Sequence, residues 1–111
     1  MQVFVHHLYE YKKGLRNLIL HTTKAEHEEA IVAKLEKNQI DYLIQYLGDK
    51  KINVFFGARD CVKVMSNFIH KPLTNLTAEE DFILGIMLGY DRLKQCERYL
   101  KRKDQNRLKV V

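Results

Sequence analysis

Apolar positions recur along this chain with two different periods, and the switches between them mark out its elements. Val3-Phe4-Val5 and the residues that follow to Tyr9 are β-branched and aromatic, which predicts a short strand over 3–9. Gly14 then offers a turn, and Arg16–Thr22 reads as a second strand, so the chain is expected to open with a hairpin. Thr22 or Thr23 can cap a helix over about 25–37. His27, Ala30, Ile31, Lys34 and Leu35 fall on one side of it, with Glu26, Glu28, Glu29 and Glu36 largely outside. Asp41–Leu47 and Ile52–Gly57 flank the turn chemistry of Gly48-Asp49-Lys50-Lys51 and predict a hairpin. A helix over about 59–69 follows, with Cys61, Val62, Met65, Phe68 and Ile69 on one stripe and Pro72 beyond its end.

The last helix has the sharpest start signal. Thr77-Ala78-Glu79-Glu80 is a capping-box pattern, and Glu79, Glu80 and Asp81 suit the positive end of a helix dipole. The spacing predicts one helix from about 78 to 102. Gly85 and Gly89, four apart, leave a smooth patch on it and predict that both face a packed element. The expected fold class is therefore α+β: a ferredoxin-like antiparallel sheet in rearranged β-β-α-β-β-α order, with a long extra C-terminal helix. A four-stranded meander with helices on one face only is the runner-up.

Length adds that 111 residues make one domain, expected over 1–103, with 104–111 as a basic tail. The longest apolar run, Phe82–Tyr90, is half of the roughly 18–20 residues a membrane span needs. Met1–His7 lacks the pattern of a signal peptide, so a cytoplasmic location is expected. Cys61 and Cys96 read as packing residues in a reducing compartment. Charge changes the picture more. The net charge is +5, but residues 92–111 carry +6 and residues 1–91 carry −1. The basic stretch, with Lys94, Arg98, Lys101, Arg102 and Lys103, is a candidate surface for an acidic partner.

Other candidate chemistry is sparse. His6 and His7, if in a strand, point to opposite faces and cannot serve one metal. His7 and Tyr9 would share a face. Gly57 and Arg59, where a strand runs into a helix start, are candidates for an anion site. A third cluster, Glu79-Glu80-Asp81 with Tyr90-Asp91-Arg92, needs a partner from another element to act chemically. No His or Cys spacing suits a metal, and no nucleophile motif, cofactor motif or paired-carboxylate spacing occurs.

Three segments taken together, His6–Leu18, Ile52–Gly57 and Glu79–Arg92 with Gln95-Cys96 and Arg98-Tyr99, resemble a small bacterial family of uncharacterised proteins, a domain of unknown function. The resemblance carries no activity. It implies a link to flavodoxin, because genes of that family often lie beside flavodoxin genes. Flavodoxins are generally acidic, which suits a basic helix. The leading expectation is a non-enzymatic binding or regulatory domain, forming a homodimer and meeting an acidic redox protein such as flavodoxin through its basic C-terminal region. Nucleic-acid binding through the same region is the alternative, followed by a small ligand-sensing or enzyme domain built on His7, Tyr9 and Arg59.

Overall fold

Six consecutive buried residues, Ile52–Gly57, predetermine the centre of this molecule, because a strand with no wet face must be covered on both sides. The computed structural model describes residues 1–104 in full and the helical backbone as far as Val110. Three strands form one antiparallel sheet in the order β1-β3-β2: β1 (Leu18–Lys24), β2 (Asp41–Leu47) and β3 (Lys51–Gly57). Val54 at the middle of β3 lies opposite His21 of β1 and Ile44 of β2. The helices are α1 (Gln2–Lys12), α2 (Glu28–Lys37), α3 (Arg59–Met65), α4 (Ala78–Met87) and α5 (Arg92–Val110).

The two faces of the sheet have separate cores. On one, Ile19, Ile52, Val54 and Phe56 pack with Phe4 and Leu8 of α1 and Ile31 and Leu35 of α2. On the other, Leu18 and Phe55 pack with Val62 and Met65 of α3 and Leu84 and Leu88 at the end of α4. The result is three layers, helix–sheet–helix, with each buried Phe or Ile side chain contributing about 1.5–3 kcal/mol. The second face also carries a polar row. Thr22 Oγ1 donates to Asn53 Oδ1 at 2.6 Å, and Asn53 Nδ2 donates to Gln45 Oε1 at 2.9 Å. Gln45 Nε2 then donates to the carbonyls of Ile69 and Lys71, both at 3.0 Å, tying the loop after α3 to the sheet.

The expected opening strand over 3–9 is a helix, so the sheet has three strands and no N-terminal hairpin. Phe4, Leu8 and Tyr11 recur at helical spacing and seal the sheet, Phe4 lying 5.6 Å from the Phe56 ring centre. That burial outweighs the strand preference of Val3 and Val5, both of which are exposed. The β1-α2-β2-β3 segment, with β3 inserted between β1 and β2, has the order of a split β-α-β unit. α2 and the α3 that follows β3 nevertheless lie on opposite faces, where both the expected ferredoxin-like layer and the one-faced meander would place them together. Thr22 and Thr23 lie within β1, and a short 3-10 turn over Ala25–His27 leads into α2 instead of a side-chain cap. α3 ends at Met65 rather than Ile69, although turns still carry Phe68 and Ile69 to the second core.

The single long helix expected over 78–102 is two helices. Gly89 adopts φ +80°, its N–H donates to the Ile86 carbonyl at 3.0 Å, and the Tyr90 N–H donates to the Gly85 carbonyl at 3.0 Å. This is a Schellman stop. Asp91 then starts α5, its carboxylate accepting from the Lys94 N–H at 2.9 Å. The glycine pair is thus split in role. Gly85 is packed, a Cβ there falling on the Gln95 side chain, whereas a Cβ at Gly89 would meet nothing within 4 Å, so that its place is set by its backbone angle. The assigned tail over 104–111 lies outside the fully described residues beyond Asp104, and α5 runs through its start.

Candidate functional site

The basic stretch singled out from the sequence is folded back on the acidic start of α4. The capping box fixes that start: the Glu80 N–H donates to Thr77 Oγ1 at 3.1 Å, and the Thr77 N–H donates to Glu80 Oε1 at 2.9 Å. Lys71 also pairs with Glu80, at 2.6 Å. Glu79 and Asp81 are left pointing to α5, which returns antiparallel after the Gly89 turn. Arg98 meets Asp81 through two hydrogen bonds, at 2.7 and 3.1 Å. Arg102 lies 3.5 Å from the same carboxylate and donates to the Leu76 carbonyl at 3.1 Å. Lys103 pairs with Glu79 at 2.9 Å, and the Tyr99 hydroxyl donates to Glu79 at 2.8 Å. Hydrogen bonds from Lys103 and then Tyr99 hold the Glu79 carboxyl down at about 2, and those from Arg98 hold Asp81 below the usual range.

This hairpin divides the predicted partner-binding residues. Arg98, Arg102 and Lys103 face α4 together with Gln95 and Tyr99, whose ring packs against Phe82 at 5.4 Å. Lys94 and Lys101 are exposed on the other side, where Leu93 and Leu100 stand 68 % and 59 % exposed. Glu79 and Asp81 are the functional neighbours that the sequence reading did not connect to α5. A signal was present: an acidic first turn and a basic helix separated by Gly89-Tyr90-Asp91.

His7 lies on α1 rather than on a strand, and its Nδ1 is 3.3 Å from Nδ1 of His21 in β1. One ring must donate and the other accept, so at most one of the two carries a proton on both nitrogens. Burial, followed by the charge of His7, lowers His21 to about 4, and burial also lowers His7, against the opposing pull of Glu10. Tyr9 points outward on α1, with the Lys13 ammonium 5.5 Å over its ring. His7 and Tyr9 therefore have different surroundings.

Gly57 ends β3 within the sheet, and Arg59 opens α3, which covers the face away from α1. Gly57 takes φ +151°, and a Cβ there would fall on the backbone carbonyl of Asn17, which accepts from the Ala58 N–H at 2.9 Å. Arg59 pairs with Asp41 at 3.1 Å beside an open concavity of about 780 Å³ that Glu36, Tyr42 and Lys63 also line. The two acids there balance the two bases, so the concavity has no excess of positive charge for an anion. The structure does not bring Arg59 to His7 and Tyr9, since α1 and α3 cover opposite faces.

Among the described residues no three His, Cys, Asp or Glu side chains cluster as a metal site would require. Both cysteines are free and half-buried, Cys61 against the second core. No helix among the described residues is long and apolar enough to cross a membrane.

The model of the family described as Protein of unknown function (DUF2023) matches residues 2–102. No curated protein matches the chain. The chain belongs to the DUF2023 family.

Proposed function

We propose that this member of the DUF2023 family is a non-enzymatic binding or regulatory domain that engages an acidic protein through α5. The observation that carries the reading is the outward face of that helix. Exposed Leu93 and Leu100, one heptad apart, sit beside exposed Lys94 and Lys101 on the segment that concentrates the positive charge. Glu97 and Asp104 share this outward side, but residues 92–111 as a whole carry +6, so apolar anchors here combine short-range burial with long-range steering by the net positive charge. A flavodoxin-type redox protein in a bacterial cytoplasm is the partner that the sequence resemblance suggests, and its acidity is the property the face requires.

Self-association belongs to the same proposal. In a ferredoxin-like order a fourth strand would lie beside β1, and among the described strands β1 pairs with β3 alone. A second copy could use that edge and form a homodimer.

Purified flavodoxin titrated at low and high salt tests the main reading. Binding should weaken with salt, and the K94E/K101E variant should lose about tenfold or more in affinity through a slower on-rate. Duplex DNA run in parallel serves as the discriminator. A salt slope steeper for DNA than for flavodoxin, with affinity to match, would replace the protein-partner reading by a nucleic-acid one.

A further inference from the structure

We infer that α5 is a clasped arm: the acidic first turn of α4 occupies the arginine-rich inner face of α5, and an acidic partner takes that turn's place. This deepens the proposed function and rests on it.

The first observation is what holds α5 in place. Among its described residues, 92–104, none is buried. Its apolar residues Leu93 and Leu100 point away from the body. Its contacts with the body include half-buried Cys96, the Gly85–Gln95 contact at the turn, the Phe82–Tyr99 ring contact, and the polar contacts of Arg98, Tyr99, Arg102 and Lys103 with Glu79, Asp81 and the Leu76 carbonyl. Ion pairs reached by solvent weaken as salt is added. A helix held mainly by such pairs is poised to detach without disturbing either core.

Charge complementarity is the second observation, and it states the partner's chemistry. Glu79 and Asp81, two residues apart on a helix's first turn, satisfy four side chains of α5 between them. A protein surface presenting two carboxylates at that spacing would make the same contacts. Released from α4, the inner face adds Arg98, Arg102 and Lys103 to the outward Lys94 and Lys101. The closed form therefore lowers affinity for weakly acidic surfaces and reserves the full basic helix for a strongly acidic one.

The test uses the full chain with labelled poly-L-glutamate as the probe, read by anisotropy at low salt, and amide hydrogen exchange over 92–104 as the conformational readout. The E79Q/D81N variant removes the clasp. The E26Q/E29Q variant makes the same change in net charge at exposed positions near the start of α2. Loss of the three ion pairs to Glu79 and Asp81 predicts about tenfold tighter binding and about tenfold faster α5 exchange for E79Q/D81N, against less than about threefold for E26Q/E29Q. In the wild type, added salt should accelerate exchange in α5 before it does so in β3. Equal binding gains in the two variants, or α5 exchange indifferent to both salt and E79Q/D81N, would overturn the clasp while leaving the acidic-partner reading intact. Absence of poly-L-glutamate binding in all three proteins would overturn both.

Discussion

Replacing Gly57 with alanine should be among the most damaging single-methyl additions this chain can receive. Two costs combine there. Its φ of +151° is a conformation that L side chains rarely adopt, and holding one there costs on the order of 1–3 kcal/mol. The new Cβ would also fall on the Asn17 carbonyl oxygen, 3.0 Å from the carbonyl carbon and 3.1 Å from Leu18 Cα. All three atoms are backbone, so no side chain can swing aside. The start of β1 must move, loosening the Ala58 N–H to Asn17 bond and the Leu18–Gly57 pairing, and such overpacking typically costs roughly 1–3 kcal/mol more. With a urea m-value of about 1.5 kcal/mol per molar, a loss of about 4 kcal/mol lowers the midpoint by roughly 2.5 M. Gly89→Ala is the control, because φ is +80° there but the space is open, and only about 1–2 kcal/mol should be lost. Urea melts followed by circular dichroism decide the matter. If Gly57→Ala costs no more than Gly89→Ala, the close backbone approach contributes nothing and the reasoning is wrong.

Three further outcomes are expected. Gln39 ends α2 at φ +56°, so Gln39→Gly should raise stability by about 1 kcal/mol in the same urea melts, and a loss would show that the Gln39 side chain matters. His21, lowered to about 4 from 6.5, binds fewer protons folded than unfolded between those values; stability should therefore rise with pH across that window, be complete above it, and fall by up to about 3 kcal/mol toward pH 4. A His21→Phe variant should flatten that part of the pH–stability profile, and an unchanged slope would place its origin elsewhere. Thr77→Ala removes one half of the α4 capping box and should cost about 1 kcal/mol by thermal or urea melting, with no loss if the cap is redundant beside the Lys71–Glu80 pair.

Much of the fold could be read where a local signal agreed with the packing. The β2–β3 hairpin carried turn residues between two apolar runs, and the α4 start carried a complete capping box, so both were legible. The N-terminal segment was not, because Val3, Val5 and Tyr9 have strand preference while only the spacing of Phe4, Leu8 and Tyr11 revealed the helix. The break at Gly89 was legible but unread: glycine followed two residues later by a capping aspartate is a stop and a start in succession. At the candidate site the cations were found and their partners were not. Which acid meets Arg98 depends on the reversal at Gly89, a three-dimensional fact that neither helix states alone.

The polar row Thr22–Asn53–Gln45 also bears on how the chain avoids folding wrongly. These three residues are direct neighbours across the strands, all on the face that carries Phe55. A slip of β3 by one position would swap the two sides of the strand, carrying the Asn53 carboxamide in among Phe4, Ile31 and Leu35 and leaving Gln45 without its partner. Because β3 is apolar on both sides, hydrophobicity alone distinguishes such a slip poorly. The row supplies the discrimination as an error check on alignment, since an unmatched carboxamide in an apolar core costs about 1–3 kcal/mol. Sequence changes at Asn53 should therefore show first as a mixture of alternative pairings, before any loss of compactness, because either register would still bury the same amount of β3.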